Sequence, residues 1–305
     1  MNTPYGLDQG EREMATFYSR LPRFEYVQPT SIDEALSLLA RHEGQARLLA
    51  GGTDLLPKMK RREITSPAYV IDLKGIPDLN HIDHDEEKGL SLGALTTIHA
   101  IETSPVIQHK CTILAQAAYT MASPQVRNRA TLAGNICNAV PSADSVPPLL
   151  VLEAKLKVVS QKGERILPIE DFFTGPNETV LTDGEILAEI QIPPVPSKSR
   201  GIYLKLSPKS SMDLATVGVA ALVINEHGLC KDIRIALGAV APTPIRARKA
   251  EGILRGQRFT DELIERTAQT AAEQSRPIDD HRASAQYRRE MVQALVRRAI
   301  TQAIS

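Results

Sequence analysis

Two short segments of the sequence combine residue types that can bind an anion. The first, LLAGGTDL at residues 48–55, places two consecutive glycines beside a hydroxyl and a carboxylate. Because glycine has no side chain, the main chain there can approach another group closely and present its amides, as diphosphate-binding loops do. Thr53 or Asp54 can also cap a following helix. The segment matches neither GxGxxG nor the P-loop, and a left-handed turn between a strand and a helix is the simpler interpretation of these residues alone.

The second segment lies within residues 121–160, a stretch rich in Ser, Asn, Pro and Gly that is long for a connection. Its TLAGN, at residues 131–135, supplies a hydroxyl, a flexible backbone and an amide side chain in one place. Asp144 adds a carboxylate that can accept hydrogen bonds from sugar hydroxyls. Loops of this kind often bind a ligand, but Asn135, Asn138 and Asp144 could equally form simple Asx turns.

Two charged clusters are explained without a functional site. HIDHDEE, at residues 81–87, has histidine and carboxylate spacings that suggest a metal site. Because it comes directly before the strand-like GLSLGAL, an acidic hairpin turn is favoured. KMKRR, at residues 58–62, lacks nearby aromatic residues that could stack on bases, so we interpret it as the solvated rim of an anion site.

The composition is that of a folded globular protein. The 305 residues contain 36 Lys and Arg against 36 Asp and Glu, with 42% hydrophobic residues. This balance does not favour binding to nucleic acid or to an anionic membrane surface. Cys111, Cys137 and Cys230 form no CxxC pair, which argues against a disulfide framework, a zinc site or an iron–sulfur site. Because the sequence has neither a signal-peptide core nor a long apolar span, we expect a cytoplasmic protein.

Local patterns predict the elements that position the first segment. FEYVQP (24–29), ARLLA (46–50) and AYVIDL (68–73) are typical of short strands, and LLPKMKRR (55–62) of a short helix. Ser31 and Glu34 form a capping box ahead of apolar residues at helical spacing, which predicts a helix over 31–42. The two glycines therefore follow a buried strand and precede a helix.

A different pattern follows the second segment. CTILAQAAYTM (111–121) predicts a helix before it and KLKVVS (155–160) a strand after it. A Pro-rich junction, IPPVPSKS, leads into three strand patterns that begin near Ser199, namely IYLKLS, VGVAALVI and DIRIALGAV. Helices are predicted near 246–254, 260–274 and 284–303. The carboxy-terminal region is thus a compact α+β unit without a nucleotide-binding fingerprint of its own.

Five segments together resemble a known family. They are LLAGGTDLLPKMK, PQVRNRATLAGN, VPSADSVPPLLVLEA, DFFTGPNETVLTDGEILAEIQIP and YLKLSPKSSMDLATVGVAALV. In this order and spacing they are similar to the FAD-binding medium subunit of the molybdenum hydroxylases, which include xanthine dehydrogenase, carbon monoxide dehydrogenase and 4-hydroxybenzoyl-CoA reductase. The resemblance covers about residues 21–303, nearly the whole chain.

The resemblance implies an α+β fold in two domains. A two-part FAD-binding domain of the p-cresol methylhydroxylase type would be followed by a small α+β carboxy-terminal domain, a three-stranded antiparallel sheet with helices. The implied divisions are an amino-terminal extension at 1–21, the FAD-binding domain at 22–197 and the carboxy-terminal domain at 198–305. The FAD-binding domain would consist of subdomains at about 22–76 and 77–197.

The resemblance also implies which residues contact FAD. The family's first diphosphate loop corresponds to Leu48, Leu49, Ala50, Gly51, Gly52, Thr53, Asp54 and Leu55. The second loop, usually Thr-Ile-Gly-Gly-Asn, corresponds to Thr131, Leu132, Ala133, Gly134 and Asn135. Ala133 departs from the family, and its methyl group could shift the backbone where it meets the cofactor.

Three further positions are implied outside these loops. Asp144 corresponds to a carboxylate near the sugar and ribityl region of FAD, and Leu187 to an apolar contact. Lys205 corresponds to a lysine near the isoalloxazine, where a cation would stabilise the anionic reduced flavin. Without the resemblance, Lys205 would be interpreted as a solvated strand lysine.

By resemblance, the chain is the electron-transfer subunit of a larger oxidoreductase. It would bind FAD as its only redox group and pass electrons between [2Fe-2S] clusters of a small partner subunit and an external redox partner. A large partner subunit would carry the molybdenum cofactor. The resemblance also implies that the complex is a dimer of heterotrimers. Neither catalytic residues nor metal ligands are predicted in this chain. The alternatives are a self-sufficient FAD oxidase of the same superfamily and a flavin-free assembly subunit, for which Ala133 is the only indication.

Overall fold

The amino-terminal part of the protein is a small parallel sheet with helices between its strands. The computed structural model describes residues 20–210 and 212–305. Strands β1 (Glu25–Val27), β2 (Ala46–Leu49) and β3 (Tyr69–Asp72) lie in the order β1-β3-β2, and both pairs are parallel. Helix α1 (Ile32–Arg41) follows β1, and helix α2 (Leu55–Arg61) follows β2. The strands and helices predicted for residues 24–73 are therefore confirmed.

The start of α1 differs in one detail from the predicted capping box. Ser31 Oγ accepts a hydrogen bond from the Glu34 amide at 3.2 Å, as predicted. The Glu34 carboxylate, however, accepts from the Thr30 amide at 2.7 Å rather than from that of Ser31. The box is thus extended by one residue, and it still satisfies two amides at the helix start.

The middle of the chain forms a five-stranded antiparallel sheet. Its order is β4-β5-β10-β6-β7. The strands are β4 (Ile82–Asp85), β5 (Gly89–Gly93), β6 (Lys155–Ser160), β7 (Gly163–Pro168) and β10 (Glu185–Ile192). A separate two-stranded ribbon consists of β8 (Phe173–Gly175) and β9 (Glu178–Thr179). The segment at 81–87 is the hairpin between β4 and β5, as predicted, and Asp85 Oδ1 accepts from the amides of Glu87 and Lys88 in its turn.

Helices fill the chain between β5 and β6. They are α3 (Ile98–Thr103), α4 (Pro105–Lys110), α5 (Thr112–Thr120), α6 (Pro124–Arg127), α7 (Leu132–Asn138) and α8 (Val146–Val151). The interpretation of residues 121–160 as a long connector is therefore wrong, because three of these helices lie within it. Each is too short to show a helical repeat in the sequence.

The carboxy-terminal part is an antiparallel sheet covered by helices on one face. Its strands are β11 (Ser199–Leu206), β12 (Val217–Glu226), β13 (Leu229–Gly238) and β14 (Ile245–Arg246), paired in chain order. The predicted three-stranded sheet thus has a fourth, two-residue strand. Helices α9 (Arg248–Leu254), α10 (Asp261–Gln274) and α11 (Ala285–Ile304) follow. Thr260 caps α10 by accepting from the Leu263 amide at 3.2 Å, as its position predicts.

The two faces of this last sheet contribute to two different cores. One face packs with α9, α10 and α11 through side chains such as Ile233, Val292 and Ile300. The other face contributes Tyr203, Ala220, Leu222 and Ala236 to the large core of the preceding residues. The sheet is therefore fused to the middle of the chain by a continuous apolar contact.

Hydrogen bonds reinforce this contact. The Tyr203 amide donates to Gln116 Oε1 at 3.0 Å, and the Ala239 amide donates to the Pro141 carbonyl at 2.7 Å. Arg246 donates to the Leu150 carbonyl at 3.2 Å while its side chain is also paired with buried Glu251. These bonds fix β11 against α5 and β14 against α8. In the part of the chain that the structure describes, no helix is long and apolar enough to cross a membrane.

Candidate functional site

A cavity of about 380 Å³ lies between the loop after β2, the start of α7 and strand β10. Most of the residues implied by the family resemblance line it. They are Leu48, Ala50, Gly51, Gly52, Thr53, Asp54, Leu55, Thr131, Ala133, Gly134, Asn135 and Leu187. Two segments separated by about eighty residues in the sequence are thus brought to one place, which we call the first cavity.

The two glycine-bearing segments touch through their backbones. A Cβ atom added to Gly51 would lie 2.0 Å from the Arg129 carbonyl oxygen and 2.9 Å from Ala130 Cα. No side chain fits into such a gap, so glycine is required at residue 51 by close packing. Gly52 has φ of +76°, a left-handed conformation that glycine adopts without strain. Gly51 is therefore required by contact with another backbone, and Gly52 by its conformation and by the Leu49 and Leu56 side chains, which a Cβ atom would meet at 3.0 and 3.1 Å.

The loop after β2 presents its amides rather than a side-chain cap. Among the described residues, no hydrogen-bond acceptor is found for the backbone N–H groups of residues 51–54. Asp54 is the N-cap residue of α2, but its side chain makes no capping hydrogen bond, so the predicted cap is wrong. Backbone N–H groups without a protein partner need another acceptor, which an anion in the cavity would provide.

The second loop is held by its own side chains. Thr131 Oγ1 accepts from the Gly134 amide at 3.1 Å and caps α7. Asn135 Oδ1 accepts from Ser145 Oγ at 2.6 Å. Ala133 is buried and belongs to the large apolar core, so its methyl group has a packing role. Asn135 and Asn138 lie in α7 and not in the Asx turns that were the alternative interpretation.

Asp144 and Lys205 lie in the wall of a second cavity of about 160 Å³. This second cavity adjoins the first. Five residues line both cavities and form the partition between them: Thr53, Asp54, Ala130, Asn135 and Asn138. The predicted site residues are therefore divided between two adjoining spaces rather than gathered in one.

Asp144 and Lys205 form a buried ion pair. Lys205 Nζ lies 2.8 Å from Asp144 Oδ2, and the two side chains are 3% and 8% exposed, respectively. Lys205 also donates to the Thr120 carbonyl at 3.0 Å, and the Tyr203 hydroxyl donates to Asp144 Oδ1 at 2.6 Å. Burial raises the pKa of Asp144, an effect opposed by the Lys205 charge and by the hydrogen bonds from Lys205 and Tyr203. Burial beside Asp144 also raises the pKa of Tyr203 well above its usual value.

Some residues of this region were not predicted from the sequence. Tyr203 is two residues before Lys205 on β11, and side chains at this spacing share a face of a strand, so alternation alone could have indicated it. Lys58 and Asn138 also line the first cavity, and Lys58 donates to Asn138 Oδ1 at 2.6 Å. Leu49, by contrast, lines neither cavity and packs with Met59 and Val70.

Comparisons with known proteins identify the family. A family model described as the FAD binding domain in molybdopterin dehydrogenase matches residues 22–195, and one described as the CO dehydrogenase flavoprotein C-terminal domain matches residues 202–303. The chain belongs to this flavoprotein family. The predicted family, its α+β fold and its cofactor, FAD, are thereby confirmed.

Similar proteins are found over nearly the whole chain. The carbon monoxide dehydrogenase medium chain of Hydrogenophaga pseudoflava is 36% identical over 282 residues, which cover 92% of this chain and 97% of that one. The xanthine dehydrogenase FAD-binding subunit of Escherichia coli O157:H7 is 33% identical over 281 residues, which cover 92% of this chain and 96% of that one. These relatives are medium or FAD-binding subunits of multi-subunit molybdoenzymes.

The fold is similar as well. A solved structure of the Hydrogenophaga pseudoflava carbon monoxide dehydrogenase, in a form lacking the Mo-pyranopterin moiety, superposes with a TM-score of 0.90 at 37% identity. The match covers 93% of this chain and 98% of that chain.

Among the described residues, no group of three or more His, Cys, Asp or Glu side chains could hold a metal ion.

Proposed function

We propose that this chain binds FAD without a covalent link across the two cavities. The diphosphate would lie against residues 50–54 and 131–135 in the first cavity, and the flavin ring would approach Asp144 and Lys205 in the second. The observation that carries this proposal is the backbone contact of Gly51 with Arg129 and Ala130, which brings the two loops together around one space. The N–H groups of residues 51–54 are suited to phosphate oxygens.

Bound FAD would supply two-electron and one-electron exchange, and the chain would supply binding and orientation. Leu187 offers an apolar contact at the β10 side of the first cavity. Lys205 was expected to stabilise negative charge on the reduced ring. Because its charge is balanced by Asp144 at 2.8 Å, the pair as a whole presents a smaller positive field than a lone lysine would. Tyr203 holds the carboxylate of that pair in position.

The proposed role is electron transfer within a larger complex. A small subunit with [2Fe-2S] clusters would exchange electrons with the FAD of this chain, and a large subunit would hold the molybdenum cofactor where substrate reacts. A dimer of such heterotrimers in the cytoplasm is the proposed assembly. The domain divisions at 22–197 and 198–305 are likewise proposed, and the extension predicted at 1–21 lies almost entirely outside the described residues.

The cofactor is tested on the purified chain. We expect yellow protein from which acid precipitation releases FAD into the supernatant. Flavin that stays with the pellet would contradict the noncovalent link, and FMN in the supernatant would contradict the cofactor. A colourless folded protein that takes up no added FAD would support the flavin-free alternative. Ala133, the one indication of that alternative, is buried in the large apolar core and also lines the first cavity.

The electron-transfer role is tested on the complex from the native source. We expect co-purification with a cluster-containing small subunit and a molybdenum-containing large subunit, and substrate should bleach the flavin absorbance of the complex. Removal of the cluster subunit should abolish the bleaching. If the isolated chain reduced its own FAD with a small alcohol or phenol at a useful rate, the proposed electron-transfer role would be wrong. The alternative of a self-sufficient oxidase would then be correct.

A further inference from the structure

Lys58 is a partly buried cation in the wall of the first cavity. Its ammonium donates to the neutral Asn138 Oδ1 at 2.6 Å. Within residues 20–210 and 212–305, no carboxylate oxygen lies within 4.0 Å of Lys58 Nζ. A cation that is partly removed from water and held by a neutral amide is more stable when an anion binds beside it.

The position of Lys58 connects it to both glycine-bearing loops. It lies one helical turn after Asp54, the residue at which the first loop passes into α2. Asn138 is the last residue of α7, the helix that begins after Thr131 of the second loop. The hydrogen bond between Lys58 and Asn138 therefore joins the two helices that follow these loops.

Asp54 and Glu63 are nearby acidic side chains that could compete for this cation. The Asp54 carboxylate lies more than 4.0 Å from Lys58 Nζ, since the two form no ion pair. Desolvation raises the pKa of Asp54 more than the Lys58 charge and the Asn138 amide lower it. Neither carboxylate is ion-paired with Lys58, and Glu63 is paired with Arg61 instead.

We propose that Lys58, positioned by Asn138, is the cation that pairs with the diphosphate of FAD. The inference rests on the proposed function, because the anion belongs to that cofactor. The amides of residues 51–54 supply hydrogen bonds to the diphosphate, and Lys58 supplies the full positive charge that amides lack. The two lysines of the KMKRR segment then differ in role: Lys58 faces the first cavity, whereas Lys60 is exposed and lines neither cavity.

The test is the affinity of the full chain for FAD after removal of its flavin. FAD is titrated by flavin fluorescence at several KCl concentrations into the unchanged protein and into Lys58→Met, Lys58→Arg, Asn138→Ala and Lys60→Met. At low salt we expect Kd to rise about 10- to 100-fold in Lys58→Met, the range for losing one charge-assisted hydrogen bond. The Kd of this variant should also depend less on KCl, because salt screens the lost charge pair.

The other variants show whether charge and position both matter. The Kd of Lys58→Arg, which keeps the charge, should stay close to that of the unchanged protein. The Kd of Lys60→Met should equal that of the unchanged protein. Asn138→Ala keeps the charge of Lys58 but removes the hydrogen bond that positions it. The Kd of this variant should therefore rise less than that of Lys58→Met, and its dependence on KCl should persist. Thermal melting followed by circular dichroism shows whether each variant is folded.

Several results would overturn the inference. One is an unchanged Kd in folded Lys58→Met. Another is a Kd for FAD that rises by the same factor at every KCl concentration, because this result would indicate a structural role. If Lys58→Met does not fold, the KCl dependence of the unchanged protein still tests the inference. FAD binding by the unchanged protein that is independent of KCl would contradict a charge pair. If the unchanged protein binds no FAD at all, the proposed function fails together with this inference.

Discussion

Lys58 and Lys205 lie in the walls of adjoining cavities. Of these two lysines, only Lys205 has a carboxylate of the described residues within ion-pair distance. The pair of Lys205 and Asp144 is nearly inaccessible to solvent and carries no net charge. Lys58 is held by a neutral amide and keeps its charge available to the cavity. The difference indicates that the first cavity is suited to an anion and the second to an uncharged group such as a flavin ring.

The walls of the two cavities also differ in construction. The first is mostly main chain at its two loops, where Gly51 meets the backbone of Arg129 and Ala130. The second is closed by side chains from β11, whose strand is fixed by the docking of the carboxy-terminal sheet. Close backbone contact between two loops therefore builds one cavity, and side chains on a docked strand close the other.

The largest effect is expected from breaking the ion pair of the second cavity. Lys205→Met leaves Asp144 buried without its partner, which should lower the free energy of unfolding by about 3–5 kcal/mol. Urea denaturation measures this change. The matched control is the double variant Lys205→Met/Asp144→Asn, which removes both charges and should recover much of the loss. Additive effects of the two substitutions would contradict a coupled pair.

The contact between the two loops of the first cavity should be nearly as sensitive. Gly51→Ala places a Cβ atom where the Arg129 carbonyl lies, so the backbones must separate. We expect loss of bound FAD and a drop of about 3 kcal/mol in the free energy of unfolding, toward the upper end for overpacking. Flavin-to-protein ratio and denaturation measure the two effects. Gly252→Ala is the control, because a Cβ atom there meets nothing within 4 Å; a flavin content equal to that control would refute the contact.

Gly52 tests backbone conformation together with tight side-chain packing, because a Cβ atom there would lie 3.0 Å from Leu49 Cδ1 and 3.1 Å from Leu56 Cδ1. At φ of +76°, a β-branched residue is strained, so Gly52→Val should cost about 1–2 kcal/mol and lower FAD occupancy severely. Gly52→Asn should lose less, because asparagine tolerates the left-handed region. Circular dichroism must show that both variants are folded. Near-normal flavin content in folded Gly52→Val would remove this loop from the site.

The smallest effect concerns the thiol in the first cavity. Cys137 is partly exposed, and desolvation raises the pKa of its thiol to about 12. At pH 8 only about one thiol in ten thousand would then be ionised, and the thiolate is the reactive form. Mass spectrometry should find little alkylation of Cys137 by iodoacetamide at pH 8 in the folded protein and complete alkylation after denaturation. Rapid labelling of folded protein would show that the thiol is open to water.

Much of the local structure could be predicted because neighbouring residues decide it. The strand, glycine turn and helix around residues 46–61 follow from the apolar run and Gly51–Gly52 alone, and the caps at Ser31 and Thr260 were read directly from residue types. The two-residue strand β14 was missed because it is too short for any pattern. The helices within residues 121–160 were missed for the same reason.

The sequence by itself therefore determined the family, the order of the elements and the two loops that bear glycine. It could not determine the partners of the charged side chains. Asp144 is 61 residues from Lys205, and Lys58 is 80 residues from Asn138. Only the docking of β11 against α5 and the long-range bond between Lys58 and Asn138 decide that one lysine is neutralised and the other is not. Such pairings depend on long-range contacts, to which local propensity and periodicity are blind.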